Sequence, residues 1–119
     1  KKEQKDIFEV VSQMQREAIQ SVRPGIKAFE VHEVANRVAR ESGYGDFLEH
    51  MTGHGIGLEE HEKPILETED TALAPNIVHT IEPGLYVLGV GGIRIEDMVL
   101  VTSTGRRVLT SFDRGLYLH

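Results

Sequence analysis

Residues His50 to Pro64 constrain this chain more than any other stretch, because they set His50, His54 and His61 among Gly53, Gly55 and Gly57. Glycine at every second position is unfavourable inside a helix, so the segment reads as extended chain and turns. On a helix His50 and His54 would reach one metal ion together, but position 51 carries Met51 and not the glutamate of a zincin helix. In extended chain the two histidines face the same side about 13 Å apart and need different jobs. Two carboxylate motifs follow, Thr80-Ile81-Glu82-Pro83-Gly84 and Ile93-Arg94-Ile95-Glu96-Asp97. Imidazole with carboxylate suits a hard-to-borderline divalent ion such as Mn²⁺, Fe²⁺, Co²⁺ or Zn²⁺, and catalytic metal sites usually draw ligands from separate segments. A metallohydrolase is the first expectation.

The rest of the chain supplies a frame for those motifs. Ile7, Val10, Val11, Met14, Ala18 and Val22 fall at helical spacing and predict an amphipathic helix over about residues 3–22, ended by Arg23-Pro24-Gly25. Val31, Val34, Ala35, Val38 and Ala39 repeat the pattern, and Gly43 is a plausible stop for a second helix over about 28–42. From Tyr44 onward short apolar runs are punctuated by glycine and proline, which predicts strands over about 47–54, 77–82, 85–88, 92–102 and 106–110. Two helices covering a mainly antiparallel sheet make an α+β layout, read here as a single partial domain over 1–119. Glu82 ends a strand whose alternate positions are Val78 and Thr80, and Pro83-Gly84 breaks the ladder after it, so a rigid element holds its carboxylate. Arg94 and Glu96 project from one face, Ile93 and Ile95 from the other, which divides site from core.

Charge and composition exclude several function classes. The 13 basic residues are scattered among 19 acidic ones and the formal charge is −6, which leaves no basic stripe for nucleic acid. No apolar run is long enough to span a bilayer, and Lys1-Lys2-Glu3-Gln4-Lys5 leads into a helix without resembling a signal segment. Without cysteine there are neither disulfides nor thiolate ligands, which is compatible with a cytoplasmic location. The missing initiator methionine suggests a chain cut from something longer.

The order and spacing of the motifs resemble the pita-bread metallopeptidases, a superfamily of methionine aminopeptidase, aminopeptidase P and prolidase, with creatinase as a metal-free relative. The run from Thr80 to Tyr86 and then Gly91-Gly92-Ile93-Arg94-Ile95-Glu96-Asp97 looks most like the prolidase and aminopeptidase P branch. The likeness runs from the first helix to the strand ending near Thr110, and it covers the carboxy-terminal half of the family's catalytic domain. The family takes two further metal ligands, both aspartates, from a hairpin upstream of Lys1. Where it usually shows a small hydroxyl residue at the start of the second helix, Lys27 stands here.

The resemblance implies roles residue by residue. His54, Glu82 and Glu96 match metal ligands for two divalent ions (Mn, Co, Fe or Zn), Glu96 as the carboxylate that bridges both, and Glu82 doubles as the proton shuttle. His50 and His61 match the substrate-side histidines, one near the scissile proline imide and carboxylate, the other near the tetrahedral intermediate. Arg94 matches the cation that orients Glu96 and meets substrate charge. The implied activity is cleavage of the Xaa-Pro bond of dipeptides or peptide amino termini. The implied partners are a peptide substrate and either the missing amino-terminal half or a second copy of the chain, and the chain alone is expected to be inactive. Two other readings are a metal-free peptide- or protein-binding module, which the retained ligands disfavour, and a creatinase-like hydrolase, which metal dependence would discriminate.

Other polar residues read more simply. A lone histidine is more often a satisfied polar residue than a ligand, so His32, on the polar face of the second helix, and His79, opposite Glu82 in the strand alternation, are not taken as ligands. Glu59, Glu60, Glu62, Glu67, Glu69 and Asp70 read as a solvated acidic loop. Asp97 reads equally as a carboxylate behind the ligands or as a turn or edge residue.

Overall fold

The apolar periodicity is realised as α1 (Lys2–Ser21) and α2 (Ala28–Glu41) in the computed structural model, which describes residues 1–116. The last three residues of the expected 1–119 domain lie outside the described residues. Pro24 disfavours helical backbone at Arg23, and Gly25 turns the chain at a positive φ of 86°. At the end of α2, Tyr44 N–H donates to the Ala39 carbonyl at 2.8 Å and Gly43 N–H to that of Arg40 at 3.1 Å. This is the paired bonding of a helix stop that needs left-handed backbone at Gly43, where φ is 82°. Lys27 does not need a capping side chain. Ala28 and Phe29 N–H donate to the carbonyls of Thr71 and Glu69, and Lys27 N–H donates to Glu30.

The five-stranded sheet is antiparallel throughout, in the order β2-β1-β3-β6-β7, from β1 (His54–Gly55), β2 (Glu62–Ile65), β3 (Val78–Ile81), β6 (Asp97–Val101) and β7 (Arg106–Val108). A separate hairpin joins β4 (Gly84–Val87) to β5 (Gly91–Arg94). The helices pack on each other and on one sheet face, and Ile7, Val11, Met14, Val31, Leu66, Leu73, Ile81 and Val99 are buried between them.

Three expectations are corrected. The strand expected over 47–54 reduces to the two residues of β1, preceded by one turn of 3-10 helix at Gly45–Phe47. The strand expected over 92–102 is two strands in two sheets, parted at Ile95 and Glu96. The acidic run is not all loop: Glu62 opens β2, and Glu69 and Asp70 approach the N-terminus of α2, where negative charge is favoured.

His79 sits on the helix-covered face of β3, fully buried, with Nδ1 beside the Thr80 carbonyl at 3.0 Å and no partner for Nε2 among the described residues. Burial lowers its pKa, and burial likewise lowers that of His32. The sign follows. A histidine that is harder to protonate in the fold than at its unfolded value near 6.5 gives stability that is complete above that pH and is lost as pH falls through the folded value. Urea denaturation midpoints are therefore expected to drop between neutral pH and about pH 5, by up to about 1.4 kcal/mol per pH unit for each histidine. His79→Leu should flatten that drop, and an unchanged slope in the variant would refute the assignment.

Candidate active site

β3 and β6 are paired with Ile81 opposite Asp97, so Glu82 and Glu96 are the first residues beyond the ladder on facing strands. There the chain leaves the sheet for the hairpin, which begins with Gly84 opposite Arg94. Pro83 has no N–H to continue the ladder, and its carbonyl accepts the Ile95 N–H at 3.4 Å. Glu82, Arg94 and Glu96 thus stand at the seam between hairpin and sheet. Their alternation with half-buried Ile93 and Ile95 is as expected, although a single strand does not carry it.

His54 is held between β2 and β3 by close packing of backbone. A Cβ on Gly53 would strike the Thr80 carbonyl and lie 2.9 Å from Leu66 Cδ1, and one on Gly55 would lie 2.6 Å from the Lys63 carbonyl carbon. His54 N–H donates to Thr80 Oγ1 at 3.0 Å, and the Thr80 hydroxyl donates to Glu82 Oε1 at 3.0 Å. The His54 Nδ1–H donates to its neighbour's carbonyl, Gly55 O, at 2.9 Å. In the neutral ring this leaves a lone pair on Nε2, which lies 3.0 Å from Glu82 Oε1. Two electron-rich atoms at that distance, both buried, need a proton or a cation between them. Fixing one ring nitrogen on a backbone carbonyl so that the other faces outward is how metal-binding histidines are oriented.

The second oxygen of Glu82, Oε2, faces Arg94 Nη1 at 3.3 Å, and Arg94 Nε donates to the Tyr86 hydroxyl at 2.8 Å. The Tyr86 hydrogen bond, with the Glu82 carboxylate behind it, raises the guanidinium pKa against an opposing effect of burial. Arg94 touches Glu82 and not Glu96, whose carboxylate has no hydrogen bond or ion pair among the described residues. The cation expected beside Glu96 thus faces Glu82 in this structure.

The rings of His54 and His61 stack at 4.1 Å between centroids, tilted by 37°. His54, His61, Thr80, Glu82, Arg94 and Glu96 line one cavity of about 480 Å³. His50 is not among its lining residues. Its Nδ1 meets the Met51 carbonyl at 2.7 Å, its ring stands edge-on to Tyr86 at 5.5 Å, and its buried Nε2 has no partner among the described residues. Among the described residues no three of His, Asp or Glu come together closely enough to hold a metal ion. His54 and Glu82 meet directly, while Glu96 shares their cavity. An imidazole nitrogen and two carboxylates opening on one cavity nevertheless fit a divalent ion in donor chemistry.

The sequence reading missed Thr80 and Tyr86. Thr80 was detectable as the residue two before Glu82 on the same strand face, but Tyr86 meets Arg94 only through the hairpin register. Asp97 is neither turn nor edge. It is 2% exposed, and its carboxylate accepts from Gln15 Nε2 at 2.6 Å and from the Thr110 hydroxyl and pairs with Arg114 Nε at 2.9 Å. His32 is half-buried, its Nδ1 2.8 Å from Thr52 Oγ1, and does not lie free on a polar face.

Residues 1–103 match the model of metallopeptidase family M24. Over 114 residues the chain is 44% identical to a Xaa-Pro dipeptidase of Pyrococcus horikoshii, covering 95% of this chain and 32% of that protein. It superposes on the crystal structure of the prolidase from Pyrococcus horikoshii with a TM-score of 0.95 at 42% identity, covering 98% of this chain and 34% of the other. For the X-Pro aminopeptidase from Thermotoga maritima the values are 0.93, 39%, 97% and 33%. The chain spans about a third of the length of these relatives.

Proposed function

The chain belongs to metallopeptidase family M24, and on that premise we propose that it forms the carboxy-terminal half of the catalytic domain of a two-metal enzyme cleaving Xaa-Pro bonds. The observation that carries this reading is the His54 Nε2 to Glu82 Oε1 approach of 3.0 Å, with Nδ1 tied to a backbone carbonyl. His54, Glu82 and Glu96 would hold divalent ions, whether Mn, Co, Fe or Zn, with two aspartates from upstream completing the set. Such ions supply a lowered pKa for water and polarisation of a scissile carbonyl. The similarity of the chain to proteins called Xaa-Pro dipeptidase and X-Pro aminopeptidase supports dipeptides or peptide amino termini as substrates.

The chain's own residues then have distinct tasks. Thr80 donates to Oε1 of Glu82 and Arg94 faces Oε2, so the carboxylate is fixed in rotation before substrate arrives. Glu82 accepts the proton lost by the attacking water and returns it to the departing proline nitrogen. His61 lines the cavity, and in this reading it would donate to the oxygen of the tetrahedral intermediate. Arg94 keeps its charge and lines the cavity, where it can meet a substrate carboxylate. His50 and Tyr86 do not line the cavity; their edge-on ring contact supports the Tyr86 hydroxyl that accepts from Arg94 Nε, and a substrate-side role for His50 would need the substrate to extend past Arg94. The amino-terminal half or a second copy would complete the domain, and the cysteine-free sequence is compatible with a cytoplasmic setting.

The test uses the full-length polypeptide. Metal content by mass spectrometry and hydrolysis of a Gly-Pro dipeptide and a Gly-Pro-headed tripeptide are measured before and after chelation. Chelation is expected to remove activity, and Glu82→Gln to lower kcat by about a hundredfold or more. Turnover that survives both would overturn the reading.

A further inference from the structure

The loop between β1 and β2 carries His61 to the cavity, and beyond half-buried Ile56, whose N–H donates to the Val78 carbonyl at 3.2 Å, its residues 57–61 are all exposed. Leu58 at its tip is fully exposed, and Glu59, Glu60 and His61 are exposed as well. What fastens it is the carboxylate of Glu62. Glu62 Oε1 accepts the Glu59 N–H at 2.9 Å, and Gly57 N–H donates to the Glu59 carbonyl at 3.2 Å, so the loop closes on itself over that carboxylate. Gly57 leaves the necessary room: a Cβ there would lie 2.7 Å from Oε1 and closer still to Oε2. The main chain of Glu62 is itself fixed opposite Gly55 in the β1–β2 pairing. Glu62 therefore stands on a strand that touches the residue beside His54, and its side chain reaches back to set the loop that ends in His61.

Negative charge makes the arrangement more telling. Glu59 and Glu60 lie next to Glu62, and like charges repel, so a carboxylate beneath this loop persists through the backbone N–H it accepts. We propose that Glu62 is a positioning residue for His61, a carboxylate latch that closes the 57–61 loop and keeps the His61 imidazole stacked on His54. The inference rests on the proposed function for the chemical role of His61, whereas the latch itself rests on the hydrogen bond, the Gly57 clearance and the ring contact.

The experiment compares His61→Ala, Glu62→Ala, Glu62→Gln, Gly57→Ala and the His61→Ala/Glu62→Ala double variant in the full-length, metal-loaded polypeptide. Turnover, metal content and melting temperature are measured together with histidine ring NMR. Glu62→Ala and Gly57→Ala are each expected to lower kcat by about tenfold with metal content retained, and to shift the His61 ring signals as stacking is lost. Glu62→Gln keeps an oxygen for the Glu59 N–H and should stay within about twofold of the parent. In the double variant the loss should equal that of His61→Ala alone, because the latch acts through His61. Unmoved His61 signals in Glu62→Ala, or losses that multiply in the double variant, would overturn the latch. Full turnover in His61→Ala would instead refute the chemical role of His61, and the NMR signals would then decide the latch by themselves.

Discussion

Glu96→Gln in the full-length polypeptide is expected to remove bound divalent metal and Xaa-Pro hydrolysis together, with activity falling by at least about a thousandfold. Glu96 faces Glu82 across the end of the β3–β6 ladder and opens on the same cavity as His54. Its carboxylate is not engaged by any cation of the described residues, which leaves both oxygens available. Changing one oxygen to an amide keeps the shape and removes the charge, so retention of metal is the quantity that should respond. His61→Ala is the contrast. It removes a group at the cavity wall and should lower turnover with the metal kept. Metal analysis separates the two, and loss of metal in His61→Ala would show that the roles are misassigned.

Gly53→Ala, like Gly55→Ala, is expected to be severely destabilising, because in both cases the added methyl group meets backbone of a neighbouring strand. The new Cβ at position 53 would run into the carbonyl of Thr80, 2.8 Å from its carbon, and into Leu66 Cδ1, and backbone cannot swing aside as a surface side chain can. The strand that must yield is β3, which carries the Thr80 hydroxyl and leads to Glu82. A loss of more than about 4 kcal/mol is expected, enough to deplete folded protein. Gly105→Ala is the control, because nothing lies within 4 Å of a Cβ there, and it should fall within about 0.5 kcal/mol of the parent. Thermal melts of both variants decide the matter, and equal stabilities would contradict the packing described for His54.

Much of the fold was legible because it is local. The apolar stripe of Ile7, Val11, Met14 and Ala18 specifies one helix face, and Gly43 marks a stop whose bonding is local too. The sheet was harder, because pairing depends on distant residues. The run 47–54 has the look of a strand, yet only His54, with Gly55 after it, enters a strand ladder, Thr52 and Gly53 each accepting a single backbone N–H, and Glu62 to Ile65 pair although they begin with two charged residues and lack apolar alternation. The run 92–102 reads as continuous because Ile93, Ile95, Val99 and Val101 suit any strand, and nothing in it announces that Ile95 and Glu96 cross between sheets. His54, His61, Glu82, Arg94 and Glu96, singled out from motif order, line one cavity. The contacts among them were not legible. That Arg94 serves Glu82, that Tyr86 holds Arg94, and that His50 sits behind them all follow from the Gly84–Arg94 register, which no single segment encodes.

The direct pairing of β3 with β6 also separates two kinds of tolerance in this protein. Those strands hydrogen-bond to each other whether or not anything lies between them in sequence, so the β4–β5 hairpin is a detour that leaves the sheet and returns to it. Its base carries Gly84 and Arg94, while its tip, at Leu88 and Gly89, is far from the ladder, and Leu88 is almost wholly exposed. Substitution of the Leu88 side chain leaves unaltered which residues face each other at the base, whereas Gly89 beside it holds a positive φ of 80°. A side chain free of contacts, at Leu88, and the carboxylates fixed at the seam thus occupy opposite ends of one short ribbon.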